Sequence, residues 1–349
     1  MLALAGIAPP ALAHPFTLNV SSGSASITSA STTAPWVIHI NVTAGSPCVF
    51  TLTTSDANTV LESVTVECDA DCRMTIDESS TGTFAKVGDV LEATSSSPES
   101  FELQLISISG DLGSVVANEH VVAAEVIERI IVDGDLTAEI IAGPRASSGA
   151  SDVELLEVGG DLLGDISADH GVIEVIDVSG GFLGGARLTC NGLQDFSCDS
   201  ADGRIEVSGP LNRLSVAGNA NLIVIALTLE EHASVVDPGL FVNGTYSGSL
   251  FVGDLSIPIE IGEEFFGDGL NHFFAVYGDV LVGDQTRGDI TVHGDWSTIG
   301  FFYGEFETTI RIGGSLANAK SILVESLQGG GGAGQIIINA LDDGGEWIG

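Results

Sequence analysis

Short runs of alternating apolar and polar side chains recur along the chain, as in Trp36-Val-Ile-His-Ile-Asn-Val42, Cys48-Val-Phe-Thr-Leu-Thr53 and Leu61-Glu-Ser-Val-Thr-Val-Glu67. A period of two, bounded by Gly, Pro, Asn or Asp, predicts half-buried strands. The 3.6-residue period of an amphipathic helix, the expected cover for a stack of strands, is not found before residue 100. Residues 14–100, rich in Ser and Thr, therefore read as a small N-terminal β-domain or cap.

From about residue 101 the pattern becomes a recurring unit: an apolar strand, a glycine, a small or acidic residue, then an apolar residue. It runs through Ile108-Ser-Gly-Asp-Leu112, Val132-Asp-Gly-Asp-Leu136, Val158-Gly-Gly-Asp-Leu162, Val178-Ser-Gly-Gly-Phe182 and Val207-Ser-Gly-Pro-Leu211. It continues through Val242-Asn-Gly-Thr-Tyr246, Val276-Tyr-Gly-Asp-Val280, Val292-His-Gly-Asp-Trp296 and Ile312-Gly-Gly-Ser-Leu316. The glycines fall at 110, 134, 160, 180, 209, 244, 278, 294 and 314, an uneven spacing that suits stacked coils with variable loops better than equal propeller blades. Within a unit, the strand packs inward, glycine takes a corner that a Cβ would obstruct or that needs positive φ, and the next apolar residue opens another face. One coil buries too little surface alone; coils stacked about 4.8 Å apart pair each strand with those above and below. The expected fold is all-β, a parallel β-helix or solenoid over 101–349 behind the N-terminal β cap. Because Gly345-Glu-Trp-Ile-Gly349 echoes Gly294-Asp-Trp296, the array is expected to continue beyond Gly349.

On these Val-x-Gly-Asp-Leu units, residues 101–349 resemble secreted bacterial parallel β-helix proteins, a group spanning pectin-lyase-like enzymes, haemagglutinin-type adhesins and large surface proteins. The resemblance implies fold and export rather than an activity.

Composition narrows the partners. Hydrophobic residues make up 44% of the 349 and mean hydropathy is +0.37, yet beyond the N-terminus no apolar run reaches the ~18 residues of a membrane-spanning helix. Ten Lys and Arg against 48 Asp and Glu leave a net charge of −38, which repels nucleic acid and suits cations. The apolar opening ends in Ala11-Leu12-Ala13, the small-x-small pattern of a signal peptidase site, so residues 1–13 read as a signal peptide lacking its basic start. The expected localisation is secreted or on a bacterial cell surface, with the mature chain starting near His14. Export favours disulfides among Cys48, Cys68, Cys72, Cys190 and Cys198: Cys190 with Cys198, and Cys68 with Cys72 or Cys48, would each close a local loop.

Three chemistries can be set against these residues. Asp111, Asp135, Asp161, Asp279 and Asp295 follow equivalent glycines, so stacking would align carboxylates along one edge; Ca²⁺ would relieve their repulsion, whereas a turn aspartate is also favoured for its backbone hydrogen bonds. No cofactor is required by any motif. Asp284, Arg287, Asp289, His293 and Asp295 are the densest mixture of acids and bases, and Asp289, His293 and Asp295 would share one strand face as the catalytic set of a polysaccharide lyase or hydrolase. The aromatic pairs Phe265-Phe266, Phe273-Phe274 and Phe301-Phe302 would each place one ring inward and one outward, where sugar rings could stack. Neither a zinc-ligand spacing nor a Gly-x-Ser-x-Gly elbow occurs. The expectation is a noncatalytic structural or adhesive repeat protein with polysaccharide or cell-surface partners. The alternatives are a carbohydrate-active enzyme and a glycan-binding module.

Overall fold

The computed structural model describes residues 14–68, 71–92, 101–143, 151–230, 232–233, 235, 237–262, 265–271, 285–286, 289–297, 300–303, 305–306, 309–314, 322–325 and 335–338. Those residues are all-β, with strands joined in one large mixed sheet and no helix among them. The segment expected to be a signal peptide lies outside the described residues.

The chain starts with an antiparallel pair, β1 (Phe16–Ala30) against β2 (Trp36–Thr54), whose register shifts four times. Every later pairing is parallel. β2 lies beside β3 (Thr59–Cys68) and β4 (Cys72–Asp77); β3 pairs with β5 (Phe84–Glu92), and β4 with β6 (Phe101–Ile108). Pairing thus crosses the boundary expected near residue 100.

Downstream, the in-register partners form columns of like residues. Ile108, Val132, Val158 and Val178 stand side by side, as do Val216, Val242, Ile261, Val292 and Ile312, and each is nearly or wholly buried. These are the apolar residues that precede the glycine step. Those that follow it make a second column: Leu112 bridges to Leu136, Leu136 to Leu162 and Leu162 to Phe182, all fully buried. Ala201, Ala220 and Tyr246 continue it, and Phe265 pairs with Trp296 further along. A third column runs Val90, Val122, Ile140, Ile166. The three meet in one continuous apolar core, the arrangement that makes strict alternation along each strand worthwhile.

The glycines earn their place by close approach rather than by conformation. None of those at 110, 134, 160, 180, 244 and 314 has positive φ. A Cβ on Gly134 would lie 2.2 Å from Asp111 Oδ1, on Gly160 2.2 Å from Asp135 Oδ1, and on Gly180 2.5 Å from Asp161 Oδ1. Each glycine is the gap through which the preceding unit's aspartate reaches across.

Two readings of the repeat change. Gly209 does not stack on Gly180: Val207 pairs with Ala226, and a Cβ on Gly209 would meet the carbonyl of Asn191. The position belongs to Gly218, whose carbonyl accepts from Gly244 N at 3.0 Å. Val276-Tyr-Gly-Asp-Val280 lies outside the described residues.

One disulfide joins Cys68 to Cys72, while Cys48, Cys190 and Cys198 are buried thiols. The loop closure expected between Cys190 and Cys198 is not made. Burial pushes the Cys198 thiol up to about 12.

Candidate functional site

Three groups of polar side chains stand out against the apolar columns, and the first is the turn ladder. Asp111 Oδ1 accepts a hydrogen bond from Asp135 N at 3.0 Å, Asp135 Oδ1 from Asp161 N at 2.9 Å, and Asp161 Oδ1 from Gly181 N at 2.7 Å. Asn219 Oδ1 does the same for Thr245 N at 3.0 Å, which shows that the acceptor need not carry charge. Asp295 sits at the equivalent step, its Oδ1 2.3 Å from where a Cβ of Gly314 would be; Asp279 lies outside the described residues. Among the described residues no group of three or more His, Cys, Asp or Glu gathers as a metal site. Asp135→Asn is expected to leave stability nearly unchanged, and Asp135→Ala to cost about 1 kcal/mol by orphaning the Asp161 amide, read from urea midpoints. A rise in melting temperature with Ca²⁺ that Asp135→Asn abolishes would instead mark the ladder as a cation site.

The second group lies along the outward side of the first column. Phe241, Glu260, Thr291 and Arg311 are consecutive in-register neighbours. Asp289 and His293 flank the strand Ile290–Val292 that carries Thr291. Each is engaged by an adjacent strand: Arg311 Nη1 donates to Asp289 Oδ2 at 2.8 Å, and His293 Nε2 lies 2.9 Å from Glu260 Oε1. The Arg311 guanidinium, aided by Thr309 N, holds the Asp289 carboxyl below the usual carboxylate range. All four side chains are about half exposed. Asp284 and Arg287 lie outside the described residues.

Earlier on this side an open depression of about 600 Å³ is lined by Arg213, Ser215, Asp237, Pro238, Phe241 and Pro258. Asp195 Oδ1 accepts from Arg213 Nη1 at 2.6 Å and fixes the guanidinium at its rim. Elsewhere acids hold other cations too: Arg73 pairs with Glu102 at 2.7 Å, and Arg187 with Glu206 at 2.5 Å. Arg204 also bonds Glu206; burial alone would push that carboxyl up, but the two guanidiniums outweigh it and hold it low.

The third group was invisible in the sequence. His120, 5% exposed, is surrounded by Glu62, Lys86 and Asp89. Lys86 Nζ lies 3.0 Å from His120 Nε2 and 3.4 Å from Glu62 Oε2. An ammonium can only donate, so Nε2 is the acceptor and the ring proton sits on Nδ1, 3.4 Å from Asp89 Oδ1. Asp89 Oδ1 also accepts from Val121 N at 2.8 Å, anchoring the end of the loop that carries His120. Gly88 makes room: a Cβ there would lie 3.0 Å from Nδ1. The four residues span positions 62 to 120, and the only hint in the sequence is that Lys86 is one of two lysines.

No protein-family model, curated protein or solved structure matches this chain. No helix among the described residues is long and apolar enough to cross a membrane.

Proposed function

We propose that the chain is a noncatalytic extracellular structural or adhesive protein, wound as a parallel β-solenoid and secreted or displayed on a bacterial surface. The observation that carries the reading is the in-register repetition itself. The same apolar column, glycine gap and aspartate-to-amide bond recur from unit to unit, so the side chains that repeat most faithfully serve to fasten neighbours together. Such an array gains stability step by step and yields a stiff body with long lateral faces. A face bearing the Arg213–Phe241 depression and the Glu260–His293 and Asp289–Arg311 pairs offers polar and aromatic contacts to polysaccharide or other surface components.

The carbohydrate-active alternative would draw on Asp289, His293 and Asp295. Asp289 is ion-paired with Arg311, and Asp295 Oδ1 lies against the Gly314 step. The test is a polysaccharide array probed with the purified protein, with and without Ca²⁺, recording both retention and release of reducing or unsaturated ends. Retention without product is expected of an adhesive face. Product release that Asp289→Asn or His293→Ala removes would overturn the noncatalytic reading.

A further inference from the structure

Cys48 and Cys72 occupy facing positions on β2 and β4, and both are fully buried, so their side chains enter the same interior strip. Adjacent parallel strands run about 4.8 Å apart, inside the roughly 4.4–6.8 Å Cα separation that a disulfide spans. Cys72 is already bonded to Cys68, whose Cα is 6.5 Å away. The Cys48 amide donates to the carbonyl of Asp71 at 2.8 Å, which holds the Cys48 backbone beside the residue preceding Cys72. A buried free cysteine therefore lies in register with one of the two cysteines of a disulfide.

We propose that Cys48, Cys68 and Cys72 form a thiol–disulfide exchange switch, with Cys72 as the sulfur shared by two alternative bridges. The Cys48 thiol gives its proton to solvent and the thiolate attacks Cys72 Sγ. The Cys48–Cys72 bond forms as the Cys68–Cys72 bond breaks, and Cys68 leaves as a thiolate that takes up a proton. One disulfide is lost and one gained, so the step needs neither oxidant nor reductant. The two states differ in what they fasten. Cys68–Cys72 closes only the short connection between β3 and β4, while Cys48–Cys72 ties β2 to β4, a longer loop that constrains the unfolded chain more.

Burial pushes the Cys48 thiol above its ordinary range, so the nucleophilic thiolate is scarce while β2 and β4 stay paired. Exchange is thereby tied to opening of this part of the sheet: stress that parts the strands exposes Cys48, and the bond it then makes fastens the same strands.

The test is to incubate the oxidised full chain at about pH 8.5 with increasing sub-denaturing urea, quench with acid, then unfold, alkylate and map the cysteines by peptide mass spectrometry. The label is expected to pass from Cys48 to Cys68 as urea rises, with Cys190 and Cys198 labelled throughout. Label confined to Cys48 under every condition overturns the proposal. In a second arm, Cys68→Ser treated with copper phenanthroline is expected to form the Cys48–Cys72 bridge in most chains, with a melting temperature several degrees above its own reduced form. If both thiols survive oxidation in a folded Cys68→Ser chain, the two sulfurs do not meet and the switch does not exist. Cys48→Ser should keep Cys68–Cys72 and show no relabelling.

Discussion

Gly110→Ala is expected to destabilise the sheet by about 3 kcal/mol, an overpacking cost at the upper end of the usual range. The added methyl would lie 2.2 Å from the carbonyl oxygen of Ala85, 2.3 Å from its carbonyl carbon and 2.4 Å from the carbonyl oxygen of Phe84. All three are backbone atoms of β5, so no side chain can swing aside. Relief requires β5 and the next unit to move apart, which stretches the bond from Gly113 N to the Val87 carbonyl, 2.7 Å long. Gly143→Ala is the control, because its nearest neighbours would be at 3.5 and 3.6 Å, ordinary contact distances. The measurement is the shift in urea midpoint for each; equal shifts would refute the steric account.

Phe182→Ala is expected to cost about 4 kcal/mol, the loss of a fully buried aromatic side chain together with the cavity it leaves. The ring meets Phe196 edge-on, with centroids 5.5 Å apart, and leans so close to Gly203 that a Cβ there would lie 2.6 Å from it. Below it in the same column stand Leu162, Leu136 and Leu112, so Phe182→Leu places a residue the column already accepts and should cost under about 1.5 kcal/mol. Phe182→Ala and Phe196→Ala share one cavity and should be less than additive, by about 1 kcal/mol in a double-mutant cycle. Full additivity would mean that the two rings are energetically independent.

These positions show how far the sequence carries. The strand–glycine–apolar unit was legible because each part answers a local steric or burial demand: inward residues must be apolar, and the residue facing the previous unit's aspartate must lack a Cβ. Its phase was harder to read. In the stretch Cys198-Asp-Ser-Ala201 it is the Asp199 carbonyl, not a glycine's, that accepts from Gly218 N, while Gly209 marks a different corner, so counting glycines skips this unit and admits a false one. The aspartates were legible as a ladder, and their partners, the next unit's amides, follow once the units are in register. Side chains brought together from distant strands were not legible. Nothing in the order of Glu62, Lys86, Asp89 and His120 announces that they meet, and Arg311 and Glu260 engage Asp289 and His293 only because parallel pairing lays separate strands side by side. Cysteine spacing was equally ambiguous: Cys68 with Cys72 was one of two options, and Cys190 and Cys198 form no disulfide with each other.

The reversal of direction at β1 bears on how copies of this molecule meet. A stack of parallel strands ends in a row of unsatisfied amides and carbonyls that would template the edge of a second molecule, and repetition of that contact makes fibres. Here the strand laid over β2 runs the opposite way, is largely Ser, Thr and Ala, and breaks register between Val20 and Ser22, Ser22 and Ser24, Ser24 and Ala25, and Ile27 and Ser29. An incoming parallel strand would find neither the right polarity nor an even spacing of partners. The irregular strand is thus the place where the sheet's parallel, in-register self-similarity is broken.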